Sequence, residues 1–284
     1  MNYKDITIGI VAYKSEKVLF KCLKSINKIK KIIIFDNSND HNLKNKVRLN
    51  YPKINYILSK KNLGYGNANN EIIKICKTKY LLILNPDTVL KKNCEFELLK
   101  SINIKKFNFS ILAPISQDKN FGYVKKDVKF KNKGIFETNF VKGFALLVNI
   151  KTIKKIGMFD KNIFLYLEEI DLCRRLKLNN YKIYVNSKAK IFHSAAKSSN
   201  IGFDFEKCRH WHWMWSSVYY KRKCSSYFET LISFFPLMLI NLLKIIVFIL
   251  TFQQKKTTIN FMRFSGTFNA LVGKQSWYRP NKIN

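Results

Sequence analysis

Apolar runs of strand length alternate with amphipathic stretches over the first part of the chain. Four such runs follow one another, at residues 6–11, 31–35, 54–58 and 80–84. Apolar runs bounded by turn residues predict buried strands of a parallel sheet. Between the first two runs, apolar residues recur at helical spacing: Val18, Leu19, Cys22, Leu23 and Ile26. Strand–helix–strand units joined by short loops predict a doubly wound α/β domain.

Two of these predicted strands end in a carboxylate. The run 80–84 is followed by Asn85-Pro86-Asp87, and the run 31–35 by Asp36 and then Asn37. A charge at the end of a buried strand must reach water, a cation or a hydrogen-bond donor. Open α/β sheets bind ligands at this carboxyl edge. Asn-Pro-Asp also forms ordinary turns, so the motif alone leaves a turn and a ligand site equally open.

A glycine pair follows the third strand. Gly64-x-Gly66 lacks the third glycine of a dinucleotide-binding fold and does not follow the first strand, which excludes a nicotinamide site of that type. Small residues that open a helix still allow a ligand to approach backbone N–H groups. Tight packing between helix and sheet explains the same glycines, and this alternative stays open.

The densest acidic cluster comprises Glu168, Glu169 and Asp171, in a chain with only 18 acidic residues. A helix over 168–178 would bring Glu168 and Asp171 to one face. Such a cluster is a candidate for acid–base chemistry. Acidic residues in the first turn also complement the helix dipole, which accounts for one of the three without any catalytic role.

The order of these motifs resembles family 2 glycosyltransferases of the GT-A fold, within the rhamnosyltransferase-like branch. The matching stretches are 8–13, 36–38, 62–70, 85–87, 143–145, 156–160, 164–175 and 276–280, together with His193. They cover nearly the whole chain. The resemblance implies a GT-A-type doubly wound mixed sheet flanked by helices.

The resemblance also implies a role for several of these residues. Asp36 would contact the base or ribose of a nucleotide-diphosphate sugar, and Asp87 and His193 would hold a divalent cation, Mn²⁺ or Mg²⁺, at its diphosphate. Glu169 would be the catalytic base, with Glu168 as a possible substitute. The remaining candidates are Ala12, Tyr13, Asn37, Asn62, Gly64 and Asn85 for the donor, and Asp171 and Trp277 for the acceptor. Two residues depart from the family pattern: Asn85 stands where the family has an acidic residue, and Glu169 stands where it has an aspartate. An inactive homologue is therefore an alternative.

Composition adds a strong positive charge. The 284 residues are 47% hydrophobic, which is enough for a sizeable core. Their formal net charge of +34 favours anionic partners. The six cysteines are scattered without a Cys-x-x-Cys pair, which argues against zinc and a disulfide framework. The first residues lead directly into a strand, so we expect no signal peptide and a cytoplasmic location.

The C-terminal part differs in character. Residues 231–252 are almost continuously apolar, interrupted by Pro236, Asn241 and Lys244. On a helical projection the polar positions occupy about one third of the circumference, which favours a helix lying in the membrane interface, with Pro236 as a point where it could break. A spanning helix and a helix buried on the catalytic domain are alternatives.

Two domains are therefore predicted. Residues 1–205 would form the catalytic domain, with nucleotide-sugar binding over about 1–110 and acceptor binding and catalysis over about 111–205. Residues 206–284 would form a helical membrane-associating region.

The predicted function is an inverting transfer of rhamnose or a similar deoxyhexose to a polyprenyl-diphosphate-linked glycan. It would take place at an anionic membrane surface, the cytoplasmic face of a bacterial inner membrane, with peripheral or monotopic attachment. The main rival is a basic nucleic-acid-binding protein, because Trp, Tyr and His are interleaved with Lys and Arg in 207–223. No known binding motif supports that rival, and we expect no nucleic-acid partner.

Overall fold

The computed structural model describes residues 2–116, 134–193 and 202–280. The chain divides into two compact units. The first unit comprises Met1–Asp160 and Glu169–Ser199, and the second comprises Lys161–Glu168 and Asn200–Asn284. These units are defined by compactness, so the functional division near residue 205 stays a prediction.

The first unit is built on one mixed sheet. Its described strands are β1 (Ile6–Ala12), β2 (Lys31–Asp36), β3 (Asn55–Leu58), β4 (Tyr80–Leu84), β5 (Thr88–Leu90), β6 (Ile111–Ser116), β7 (Ile135–Glu137), β8 (Ala145–Asn149) and β9 (Ile183–His193). Their order is β3-β2-β1-β4-β8-β6-β9-β5, with β7 paired to β9. β1 is parallel to β2 and β4, whereas β8 is antiparallel to β4. The parallel part accounts for the four apolar runs, and the predicted mixed sheet is confirmed.

Six described helices accompany this sheet. They are α1 (Glu16–Lys24), α2 (His41–Asn50), α3 (Tyr65–Ile75), α4 (Cys94–Ile102), α5 (Ile150–Lys155) and α6 (Glu168–Leu178). The bounds of α6 match the predicted 168–178. Every residue of β1 and β4 is buried, because helices and neighbouring strands cover both faces of these central strands. The core is therefore centred on the strands whose carboxyl ends carry the candidate residues.

The second unit contains three long helices among its described residues: α7 (Phe203–Cys224), α8 (Tyr227–Leu250) and α9 (Gln254–Leu271). Its core is formed by Trp211, Trp215 and Val218 of α7 with Ala270 and Leu271 at the end of α9. Burial of large aromatic side chains therefore holds α7 and α9 together, and Leu231, Phe234 and Met238 of α8 pack against the same core.

Helix α8 has the length and mean hydropathy of a membrane-crossing segment, and it is the one such helix in the described part of the chain. Only 6% of its most apolar stretch is buried. Many of its large apolar side chains are therefore exposed, and the choice between an interfacial helix, a spanning helix and a helix buried on the catalytic domain stays a prediction. The helix also continues through Pro236, a position at which the sequence allowed a break. A proline removes a single intrahelical hydrogen bond, and the turns on either side are long enough to maintain the helix.

Gly266 allows α9 to approach α7 closely. A Cβ atom at this position would collide with the carbonyl oxygen of Trp211, which is backbone and cannot rotate away. We therefore expect Gly266→Ala to destabilise the second unit by about 2 kcal/mol, as overpacked cores do. Gly134→Ala is the matched control, because a Cβ there meets no atom within 4 Å. Thermal unfolding followed by circular dichroism checks this, and equal melting temperatures for the two variants would contradict it.

Candidate active site

The Asn85-Pro86-Asp87 turn joins β4 to β5 and is fixed by one carbonyl group. The oxygen of Phe144 accepts hydrogen bonds from Asn85 N at 2.9 Å and from Thr88 Oγ1 at 3.2 Å. Thr88 N closes the turn by donating to Asn85 O at 3.0 Å. Phe144 immediately precedes β8, the antiparallel neighbour of β4. The turn predicted from sequence therefore exists, and the sheet pairing holds it in place.

Asp87 and His193 meet at the end of this turn. β5 and β9 pair so that Thr88 is opposite His193, and His193 Nε2 lies 3.2 Å from Asp87 Oδ1. The Phe144 ring stacks on the imidazole with 4.6 Å between ring centroids. Sheet register and aromatic stacking together orient the histidine towards the carboxylate. These two predicted metal ligands, 106 positions apart, are thus adjacent in space.

The carboxylate of Asp87 has the surroundings of a cation ligand. Its side chain is buried, with 3% of the residue exposed, and neither carboxylate oxygen accepts a hydrogen bond from a described residue. Oδ1 of Asn85 is likewise buried without a hydrogen bond within the described residues. Buried oxygen atoms of this kind carry an uncompensated desolvation cost.

The residues present therefore fit a divalent cation. Carboxylate and amide oxygens suit Mg²⁺ and Mn²⁺, and imidazole is better suited to Mn²⁺ than to Mg²⁺. No cluster of three or more His, Cys, Asp or Glu side chains with metal-binding geometry occurs in the described ranges. A site with so few protein ligands is typical of cations that are also coordinated by substrate phosphates and water.

Glu169 lies beside the segment that Phe144 belongs to. Its side-chain carbons are 3.6 Å from the position that a Cβ on Gly143 would occupy, and Gly143 directly precedes Phe144. Burial raises the pKa of the Glu169 carboxyl above its ordinary value. Nearby backbone N–H groups and Lys142 act in the opposite direction with smaller effect. The segment Gly143-Phe144 is thus close to the candidate base through Gly143 and to the Asp87–His193 pair through the Phe144 ring.

Sequence reasoning missed the positioning roles of Phe144 and Tyr65. The hydroxyl of Tyr65, the first residue of α3, donates to the carbonyl oxygen of Gly143. Its ring packs edge-on against Phe159, with centroids 6.4 Å apart. The stretches containing Tyr65 and Gly143-Phe144 were part of the family resemblance. However, aromatic residues beside apolar runs are usually core, so the pattern gave no signal for these contacts.

The predicted donor residues gather at the carboxyl ends of β1 and β2. Ala12 pairs with Asp36 in the sheet, and its carbonyl oxygen accepts from Asn37 N at 2.8 Å. The Asn37 side chain donates to Gly64 O at 3.1 Å, and Asn62 Oδ1 accepts from Gly64 N at 2.9 Å. Gly64 has a φ of +81° at the start of α3, a backbone conformation that favours glycine. Tyr13 follows Ala12 at the same edge.

Asp36 is fully buried and already satisfied by hydrogen bonds. Oδ1 accepts from Ser38, and Oδ2 accepts from Asp40 N at 3.1 Å and from the Tyr56 hydroxyl at 2.9 Å. Burial and the neighbouring carboxylate raise the pKa of Tyr56, which keeps the phenol protonated as the donor. In this structure Asp36 shapes the loop after β2, and its direct contact with the donor stays a prediction.

Three further predicted residues have different surroundings. Asp171 is fully buried and pairs with Arg175 Nε at 2.8 Å. Arg175 in turn donates to the carbonyl oxygens of Ile156 and Met158, so this pair supports a turn, and a contact of Asp171 with the acceptor stays a prediction. Trp277, in the second unit, donates to Asn269 Oδ1 at 3.1 Å and remains partly exposed. Glu168 is buried and also belongs to the second unit.

Comparison with known sequences identifies similar proteins. The family model described as Glycosyl transferase family 2 matches residues 7–168. The rhamnosyltransferase WbbL of Escherichia coli K12 is 27% identical over 250 residues, which cover 77% of this chain and 93% of WbbL. The low-salt glycan biosynthesis hexosyltransferase Agl10 of Haloferax volcanii is 25% identical over 199 residues, which cover 63% of this chain and 64% of Agl10.

Three solved structures have a similar fold. The mannosyltransferase PcManGT of Pyrobaculum calidifontis, solved with GDP-Man and Mn²⁺, has a TM-score of 0.60 at 9% identity, covering 94% of this chain and 87% of its own. GalNAc-T7 with UDP, GalNAc and Mn²⁺ has a TM-score of 0.54 at 11% identity, covering 66% of this chain and 43% of its own. TarS of S. aureus has a TM-score of 0.54 at 16% identity, covering 74% of this chain and 39% of its own. At these identities the likeness concerns the fold alone, and it confirms the predicted GT-A type.

Proposed function

The chain belongs to glycosyltransferase family 2, and from this premise we propose that it moves a sugar from a nucleotide-diphosphate donor to a glycan acceptor with inversion. One observation carries the proposal. The segment Gly143-Phe144 adjoins both groups: Glu169 lies beside Gly143, and the Phe144 ring stacks on His193 of the buried Asp87–His193 pair. A pyrophosphate site and a general base next to each other are what the displacement requires.

The donor would bind along the carboxyl edge of the sheet. Asp87 and His193 would hold a divalent cation at its diphosphate, with Asn85 Oδ1 as a neutral ligand to the cation or to the donor. Such a cation offsets the negative charge that develops on the departing diphosphate. Ala12, Tyr13, Asn37, Asn62 and Gly64 would surround the nucleoside, and Asp36 would support them or contact it directly.

Glu169 would take the proton of the acceptor hydroxyl. In one displacement, the acceptor oxygen bonds to the anomeric carbon while the bond to the diphosphate breaks and its electron pair leaves with the diphosphate. A single displacement inverts the anomeric configuration. The raised pKa of Glu169 suits this role, because a base whose pKa approaches the working pH is more effective. Glu168 remains the alternative base.

A membrane location is the second part of the proposal. The exposed apolar helix α8 would lie in the cytoplasmic face of a bacterial inner membrane, as a monotopic or peripheral attachment. Attachment would hold the enzyme near a polyprenyl-diphosphate-linked glycan and raise its effective concentration. Rhamnose or a similar deoxyhexose is the proposed sugar, in keeping with the relative named as a rhamnosyltransferase. The net positive charge of the protein would then serve to attract anionic donors and lipids rather than nucleic acid.

A thermal-shift panel tests the donor site directly. Nucleoside diphosphates and their sugars, dTDP-rhamnose among them, are added to the full chain with Mn²⁺ or with EDTA. A ligand at one hundred times its dissociation constant stabilises the folded state by about 2.7 kcal/mol. We therefore expect the melting temperature to rise by about 5 °C with the correct donor and Mn²⁺. The shift should be lost in EDTA.

The same panel includes a single-stranded oligonucleotide as a comparison. Stabilisation by the oligonucleotide, combined with none by any nucleotide sugar in Mn²⁺ or Mg²⁺, would contradict the proposal and support the nucleic-acid-binding alternative. Donor stabilisation without any turnover in a transfer assay would support the inactive-homologue alternative. Product linkage determined by NMR distinguishes inversion from retention.

A further inference from the structure

A basic pocket of about 350 Å³ lies within the second unit, where the end of α8, the start of α9 and α7 meet. Four of its eight lining side chains are cationic: Lys244, Lys255, Lys256 and Arg263. Lys and Arg make up 52 of the 284 residues of the chain, so the cationic fraction of the pocket lining is far higher than that of the whole chain. Its volume is at the lower end of the range for small-molecule sites, which suits a headgroup-sized ligand.

Most of this positive charge is not neutralised by the protein. Glu206 is the one carboxylate among the eight lining residues, and Lys255 Nζ pairs with it at 3.1 Å. Lys244, Lys256 and Arg263 form no ion pair with a carboxylate in the described ranges. Neighbouring like charges repel one another, so a bound anion would relieve an unfavourable arrangement.

The backbone at the start of α9 also favours a bound anion. Lys255 and Lys256 lie in the first turn of this helix, which contains no acidic residue. The first N–H groups of a helix carry partial positive charge, so cations in this position oppose the helix dipole and an anion is favoured. The Lys256 ammonium also lies 5.4 Å from the centroid of the Phe248 ring, which keeps it within the pocket.

Large exposed apolar side chains belong to the same end of α8. Leu250 is 72% exposed, and Phe252, in the turn that leads to α9, is 92% exposed. Leu243, next to Lys244 in the chain, is exposed as well. Water would solvate such side chains poorly, whereas the acyl region just below lipid headgroups would accept them. The basic side chains that follow would then lie at headgroup depth.

We propose that the basic pocket binds the phosphate of an anionic membrane phospholipid, while Leu250 and Phe252 enter the acyl region beside it. This assignment rests on the proposed membrane location and makes it specific, because attachment then depends on one pocket rather than on the diffuse charge of the surface. A lipid phosphodiester supplies the anion that Lys244, Lys256 and Arg263 lack among the described residues, and its acyl chains continue into the apolar contact.

A vesicle-binding experiment with the purified full chain tests this. Vesicles of phosphatidylcholine alone are compared with vesicles containing one fifth phosphatidylglycerol, at fixed ionic strength, by flotation. The pocket variant is Lys244→Gln/Lys256→Gln/Arg263→Gln. The matched control, Lys53→Gln/Lys105→Gln/Lys151→Gln, removes the same charge from exposed positions of the first unit. A Lys244→Arg/Lys256→Arg variant keeps the charge, and circular dichroism confirms that each variant is folded.

We expect the pocket variant to bind phosphatidylglycerol vesicles at least ten-fold more weakly, with less than a three-fold change for the control and the arginine variant. Binding to phosphatidylcholine vesicles should be equal for all, because every variant keeps the exposed apolar side chains of α8 and Phe252. Equal losses in the pocket and control variants would overturn the proposal. Inorganic phosphate at millimolar concentration should displace little protein, and full displacement would point to free phosphate as the ligand. Sugar transfer to a soluble acceptor is measured in parallel, so failure of the pocket and failure of the transferase proposal are told apart.

Discussion

Asp87→Ala is expected to abolish cation-dependent donor binding and to reduce sugar transfer by at least about 100-fold. Outer-shell partners of metal ligands alone contribute 10–100-fold, and a direct ligand contributes more. In the thermal-shift panel, the variant should lose the stabilisation that Mn²⁺ adds in the presence of donor. Calorimetric titration of the donor in Mn²⁺ and in EDTA measures the same loss directly.

The variant should nevertheless fold well without ligands. Asp87 is buried and its carboxylate accepts no hydrogen bond from a described residue, so its removal takes away a desolvated charge. We expect the melting temperature of the ligand-free variant to equal or exceed that of the parent. Asp204→Ala, a change at an exposed ion pair of the second unit, serves as the control and should keep full donor binding. Unchanged Mn²⁺-dependent binding in Asp87→Ala would refute the assignment of the metal site.

Glu169→Gln is expected to leave donor binding intact while kcat falls by about 1000-fold. General bases contribute 10²–10⁴-fold, and glutamine keeps the shape of the side chain but cannot accept the acceptor proton. Steady-state kinetics with the donor identified by the panel measures kcat and KM separately. Glu71→Gln is the matched control, because this exposed glutamate pairs only with Lys74 among the described residues, and its kinetics should not change. Turnover close to the parent rate would refute the role of Glu169 and direct attention to Glu168.

The pH dependence of kcat adds an independent readout for the same residue. Burial raises the pKa of Glu169, so the base is protonated and inactive over a wider acidic range than an exposed glutamate would be. The parent rate should therefore rise with pH through an apparent pKa above the ordinary glutamate value. The residual rate of Glu169→Gln should lack this rise. Because the folded state favours the protonated form, the charge destabilises the fold at neutral pH, and the glutamine variant should be at least as stable there.

Some elements were predictable because their pattern is local. The central strands β1, β2 and β4 are continuous apolar runs, and α6 spans the predicted residues. By contrast, no continuous apolar run marks β9, which extends over Ile183–His193. Exposed and buried residues alternate along it, so its apolar content is diluted. The pairing of β9 with both β5 and β6 joins segments far apart in the chain, which no local pattern encodes.

The sequence by itself determined which residue types end the central strands, the GT-A family of the chain, and the apolar character of α8. The tertiary structure alone decided what each carboxylate faces. Asp36 has its oxygens satisfied by Tyr56 and the loop after β2, whereas Asp87 is left with open oxygens opposite His193. The physical reason is that hydrogen-bond partners and burial come from segments distant in sequence. They are fixed only when strand register brings those segments together.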